Sequence, residues 1–147
     1  MSGGKSVYFN KSGKRGGYKT GQFLSAKNQT SYPYRSAYEY AYFKKLEAND
    51  RVVQYVVEPF QIPYIDEDNR KRTYRPDIII LFNDGSLEVV EIKPKEMLVN
   101  IRVQRKAAAA KSFLKKNYKD AVISYRFVTE EEIFSSDAEY KNLVKSI

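Results

Sequence analysis

Thr73-Tyr74-Arg75-Pro76-Asp77 and Glu91-Ile92-Lys93 are the runs whose residue types and spacing could do chemistry in this chain. Asp77 opens one apolar run, Glu91 lies near the end of the next, and Asn83-Asp84-Gly85 stands between the runs. Paired as a hairpin, they would bring two carboxylates and an ammonium into one small volume. Two neighbouring carboxylates repel unless a cation joins them, and oxygen donors suit a hard cation such as Mg²⁺. A divalent metal polarises phosphoryl oxygens and lowers the pKa of a bound water. With a lysine beside it to orient that water or steady the phosphate charge, the set suits phosphodiester hydrolysis. The competing reading of such short motifs is a solvated sheet end.

Composition removes the rival chemistries. The 147 residues include no His and no Cys, which excludes disulfides, thiol nucleophiles and Ser-His-Asp catalysis and leaves zinc without its usual ligands. The net charge is +8. Residues 1–30 carry Lys5, Lys11, Lys14, Arg15, Lys19 and Lys27 and no acidic residue, so six of those eight charges lie there. Such a segment suits a polyanion, because neutralised phosphates release counterions. Tyr8, Phe9, Tyr18 and Phe23 are interleaved with the basic residues, which favours an irregular arm anchored by aromatic rings. The remainder, 31–147, reads as a single domain. No apolar run approaches the roughly 18 residues of a membrane span. The first residues lack the apolar core of a signal peptide, so neither membrane insertion nor secretion is expected.

The elements that must position the site follow from periodicity. Ser36 and Glu39 have the spacing of a capping box, and Tyr38, Ala41, Tyr42 and Leu46 continue it at helical spacing. Arg51–Glu58 reads as a strand, Pro59 and Pro63 limit regular pairing after it, and Asp66–Arg72 reads as a charged loop. Strands are predicted over about Tyr74–Phe82 and Leu87–Lys93, then a helix over about 100–117 carrying Val103, Ala107, Ala110 and Leu114. A strand follows around Ile123–Phe127, and Thr129 with Glu132 suggests another capping box before a last amphipathic helix. The order is α-β-β-β-α-β, an α/β fold with a mixed central sheet flanked by helices.

Hairpin register decides whether the carboxylates meet. A two-residue Asp84-Gly85 loop would pair Phe82 with Leu87 and turn Asp77 away from Glu91. A three-residue Asn83-Asp84-Gly85 loop pairs Leu81 with Leu87 and Ile79 with Val89, and by extension Asp77 with Glu91. Such loops commonly end in a left-handed residue, for which Gly85 is suited. Lys93, two residues beyond Glu91, falls on the same face.

Arg35-Ser36-x-x-Glu39, Arg75-Pro76-Asp77 and Glu91-Ile92-Lys93-Pro94, in this order, resemble a PD-(D/E)XK nuclease with its restriction-endonuclease-like core. Within that superfamily the chain is most similar to TnsA-like endonuclease domains and to the head-completion nucleases of tailed phages. The phage likeness spans roughly Tyr34–Pro94 and includes Ile62-Pro63-Tyr64 and the basic loop before Asp77. The resemblance implies Mg²⁺-dependent cleavage of double-stranded DNA, with Mn²⁺ as a substitute. It implies Asp77 and Glu91 as metal ligands, Lys93 as catalytic lysine, Glu39 as a further acidic site residue, and Gln104 as a phosphate or water contact. It also implies a phage portal or neck protein as partner and a place in the host cytoplasm or the virion. A non-catalytic virion protein binding portal and DNA, or a transposon- or homing-type endonuclease, are the alternatives.

Overall fold

The basic segment ahead of Tyr34 acquires regular structure before it ends. In the computed structural model, which describes residues 19–147, Gly21–Ser25 (β1) and Thr30–Tyr34 (β2) pair as an antiparallel hairpin. The expectation of an irregular arm fails over these residues because Phe23 has a core to bury against. Its ring lies 5.5 Å from that of Phe43 and meets Tyr40 edge-on at 5.7 Å. Gly21 pairs with Tyr34 and leaves room for its ring, since a Cβ there would come within 2.5 Å of the Tyr34 hydroxyl. The helix Ala37–Ala48 (α1) starts where its sequence indicates, with the Ser36 hydroxyl accepting from the Glu39 N–H at 3.1 Å. It buries Ala37, Tyr42, Phe43 and Leu46. Ser25 donates to Glu47 at 2.5 Å, tying the hairpin to this helix.

Asp50–Val128 forms a second compact unit around a four-stranded sheet. Its strands are Val52–Val57 (β3), Ile62–Ile65 (β4), Lys71–Tyr74 (β5), Ile78–Phe82 (β6), Leu87–Ile92 (β7) and Ile123–Val128 (β8). The main sheet has the order β3-β6-β7-β8, antiparallel except for the parallel β7–β8 pair. The parallel pair needs a crossover, supplied by the helix Ile101–Asn117 (α2), which begins at an Asn100 cap. Val103, Ala107, Ala110 and Leu114 are its buried stripe, as their spacing predicts. They form one core with Val89 and Tyr125 of the sheet and Ile62, Tyr64 and Tyr74 of a smaller hairpin.

That smaller hairpin, β4 paired with β5, stands where a proline and a charged loop argued against pairing. Pro63 is tolerated because the ladder has only two strands and Pro63 need not donate. The charged loop is ordered by a buried carboxylate. Asp66 is 1% exposed and accepts from the backbone N–H groups of Asp68 and Arg70, each at 2.9 Å, and from the Arg72 guanidinium at 2.8 Å. The long strand predicted over Tyr74–Phe82 is split at Arg75-Pro76-Asp77, with Tyr74 ending one strand and Ile78 opening the next, since Pro76 has no N–H to carry the ladder on.

Beyond Val128 lie the short helices Glu130–Ile133 (α3) and Asp137–Ser146 (α4), which belong with the described residues up to Asn49 in the first unit. Thr129 caps α3 through the N–H of Glu131 at 3.3 Å, in place of the capping box expected with Glu132. Tyr38 of α1 meets Phe134 and Tyr140 edge-on at 5.6 and 5.7 Å. The fold is α/β with a mixed sheet and helices, a restriction-endonuclease-like core.

Candidate active site

The turn between β6 and β7 has the three-residue form. Gly85 has φ +87° and donates to the Phe82 carbonyl at 2.9 Å, and the Phe82 N–H reaches Ser86 at 2.9 Å. Leu81 therefore pairs with Leu87, Ile79 with Val89 and Ile78 with Val90. Asp77, the next residue outward, reaches the partner strand by its side chain, with Oδ2 accepting from the Ile92 N–H at 2.7 Å. The Asp77 backbone in turn hydrogen-bonds the Glu91 carboxylate. Lys93 Nζ lies 3.7 Å from Glu91 Oε2. The structure brings Asp77, Glu91 and Lys93 together.

Glu91 is 7% exposed, an unusual setting for a carboxylate. It shares its sheet face with Val89, two residues inward, and that face is covered by α2 and the β4–β5 hairpin. The Tyr74 hydroxyl donates to Glu91 Oε1 at 2.6 Å and lies 2.8 Å from the Tyr125 hydroxyl. Burial pushes the Glu91 carboxyl above the usual range, against the opposing pull of Lys93, the Tyr74 hydroxyl and Lys106. Burial likewise raises both tyrosines. Lys106, from α2, sits 5.5 Å above the Tyr74 ring. Burial and the nearby charge of Lys93 push its ammonium down, while Glu91 and Asp77 pull it back up. The cluster thus holds two carboxylates and two ammonium groups at the end of the β6–β7 hairpin.

Tyr74, Tyr125 and Lys106 are the members that sequence reasoning missed. Lys106 was findable, because it precedes Ala107 and follows Val103 by three, on the edge of the stripe that faces the sheet. Tyr125 was legible only as an inward-facing strand residue. Nothing local ties Tyr74 to Glu91, which lies 17 residues away.

Among the other expected site residues, Glu39 and Gln104 have partners of their own. Glu39 is in the first unit, where Oε1 accepts from the Arg35 N–H at 2.7 Å and Oε2 pairs with the Arg35 guanidinium at 3.2 Å. Gln104 is exposed, and its amide donates to the Leu98 carbonyl. Lys5, Lys11, Lys14 and Arg15 lie outside the described residues, as do Tyr8, Phe9 and Tyr18. Lys19 opens the described chain, and the Lys27 ammonium bonds the Asn49 carbonyl at 2.5 Å.

The TnsA-like endonuclease N-terminal family matches residues 49–130, more than half of the chain. The chain belongs to that family. The match covers Asp77, Glu91, Lys93 and Lys106 and stops short of Glu39. As a TnsA-like domain, the protein is a DNA endonuclease of the PD-(D/E)XK superfamily. No curated protein matches the chain. Among the described residues no group of three or more His, Cys, Asp or Glu side chains gathers to hold a metal. Asp77 and Glu91 put two carboxylates at one hairpin end, a set that would fit a hard divalent ion, which usually takes one or two protein carboxylates and completes its shell with water and substrate phosphate. No helix among the described residues is long and apolar enough to cross a membrane.

Proposed function

We propose that this TnsA-like domain cuts duplex DNA internally in a Mg²⁺-dependent reaction, with Mn²⁺ able to substitute. The observation that carries this reading is the convergence of Asp77, Glu91 and Lys93 on one hairpin end inside the family match. Asp77 and Glu91 would hold the ion. A bound divalent ion supplies Lewis acidity toward the phosphate and acidifies a water. The chain's own residues do the rest. The backbone bond to Ile92 fixes Asp77. Lys93 carries a positive charge beside Glu91, where it orients the attacking water and steadies charge on the phosphate. Lys106 adds a second cation to receive the DNA backbone.

Glu39 is a supporting acidic candidate. Glu39→Gln keeps the acceptor for the Arg35 N–H, so slower cleavage with an unchanged melting temperature would support the role. Likeness to head-completion nucleases over Tyr34–Pro94 supports service in a tailed phage, with a portal or neck protein as partner.

The test is incubation of supercoiled plasmid with the wild type and with Lys93→Ala, in Mg²⁺ and in EDTA. Nicked and linear products should form only with the wild type and the metal. Equal cutting by both proteins, or cutting in EDTA, would overturn the reading.

A further inference from the structure

Tyr74 belongs to neither of the motifs that form the hairpin cluster, yet it makes the shortest side-chain hydrogen bond to Glu91. Its hydroxyl lies 2.6 Å from Glu91 Oε1, while Glu91 Oε2 faces Lys93 at 3.7 Å. The two carboxylate oxygens are therefore sorted, one toward the core and one toward the lysine. Tyr74 is 4% exposed and Tyr125 9%.

The proton order follows from donor counting. An ionised carboxylate only accepts, and a phenol has one proton. With Glu91 ionised, as a metal ligand must be, the Tyr74 proton goes to Glu91 and Tyr125 donates its own to the Tyr74 oxygen across 2.8 Å. Each donation strengthens the next. The Tyr74 ring cannot swing away. Its backbone is paired with Ile62, its ring packs in the core with Val89 and Ala107, and Lys106 lies over its face.

We propose that Tyr74 is the positioning residue for Glu91, its hydroxyl deciding which carboxylate oxygen is presented to the divalent ion and Lys93. The inference rests on the metal-dependent reading above. It assigns Tyr74 no contact with DNA or metal. Hydrogen bonds that orient a metal-binding side chain set affinity and geometry together.

The test uses full-length protein. Mn²⁺ binding is measured by calorimetry for the wild type, Tyr74→Phe and Tyr125→Phe, with single-turnover cleavage at saturating DNA and melting curves alongside. Tyr74→Phe keeps the ring and should weaken Mn²⁺ binding by about 10- to 100-fold, the usual effect of losing such a partner. The cleavage rate should fall while the KM for DNA holds. A merely structural hydroxyl would lower the melting temperature and leave Mn²⁺ affinity and cleavage unchanged, which would overturn the inference. Wild type that cuts DNA with metal while Tyr74→Phe equals it sinks the positioning role alone. Wild type that binds no Mn²⁺ sinks the metal reading and this inference with it. If Tyr74→Phe does not fold, Tyr125→Phe decides. It keeps the donor to Glu91 and loses only the polarising neighbour, so a smaller loss of roughly two- to fivefold is expected, and wild-type affinity would overturn the inference.

Discussion

Gly85→Ala should destabilise the Asp50–Val128 unit while leaving cleavage by the folded protein intact. Gly85 has φ +87°, in the left-handed region, and a Cβ built there meets nothing within 4 Å. The cost is therefore one of backbone conformation and not of collision. An L-residue in that region costs roughly 1–2 kcal/mol. Alanine also restricts the unfolded chain, which returns roughly 0.4–1 kcal/mol. The net loss is centred on about 0.8 kcal/mol and reaches at most about 1.6 kcal/mol, a fall in melting temperature of a few degrees for a chain of this size. Asparagine tolerates the left-handed region, so Gly85→Asn should cost less than Gly85→Ala. The assay is urea unfolding followed by circular dichroism, with the slope against urea unchanged. Register should survive, because Ile78 and Val90 are a fully buried pair that a slip would turn to the opposite face. Equal stability of the alanine and glycine proteins would refute the argument. So would alanine protein that keeps its stability but loses cleavage, since the turn would then be setting the site by some route other than backbone conformation.

Three further outcomes follow from particular residues. Asp66 is held at a pKa of about 2, first by its bond to Arg72 and then by backbone N–H groups. A depressed folded pKa contributes stability above the unfolded value of about 4 that is lost as pH falls toward 2. Asp66→Asn should flatten the melting temperature across that window, and parallel wild-type and variant profiles would count against the assignment. Lys106→Met should weaken duplex binding and lower the log–log salt slope by about 0.9, one phosphate contact; a wild-type slope would remove Lys106 from the DNA surface. Deleting residues 1–18, which stops short of β1, removes Lys5, Lys11, Lys14 and Arg15. If each touches a phosphate, the slope should fall by up to about 3.6, with cleavage at saturating DNA retained, and an unchanged slope would assign the segment to a role other than DNA binding.

Local rules carried the sequence reading far. Gly85 at the third loop position, Ser36 before α1 and the Val103–Leu114 stripe each depend on neighbours within a few residues. Those features suffice for the hairpin register and so for the meeting of Asp77 with Glu91. Features built on distant pairs were not legible. The β4–β5 hairpin depends on Asp66 gathering two N–H groups and Arg72 around a buried carboxylate, a network that overrides Pro63 and the apparent charged loop. Tyr74 reaches Glu91 only because the packing of that hairpin with α2 and the sheet brings a β5 residue over β7. Periodicity also could not foresee that Glu91 would be buried. Its position in the alternation gives a face and not a depth. That depth changes one energetic expectation. Repulsion between Asp77 and Glu91 alone would make removal of either carboxylate stabilising. Glu91→Ala, however, would leave the buried Tyr74 hydroxyl without its acceptor, at a cost of about 1–3 kcal/mol, so this variant should lose stability.

The central claim is that Asp77 and Glu91 carry metal-dependent DNA cleavage. The most direct measurement is the single-turnover cleavage rate of Asp77→Asn on saturating duplex DNA with Mg²⁺. Asparagine keeps an oxygen to accept from the Ile92 N–H, so the hairpin end should stand. The rate should fall by at least about a hundredfold, since metal assistance supplies several kcal/mol. A rate close to that of the wild type would contradict the claim.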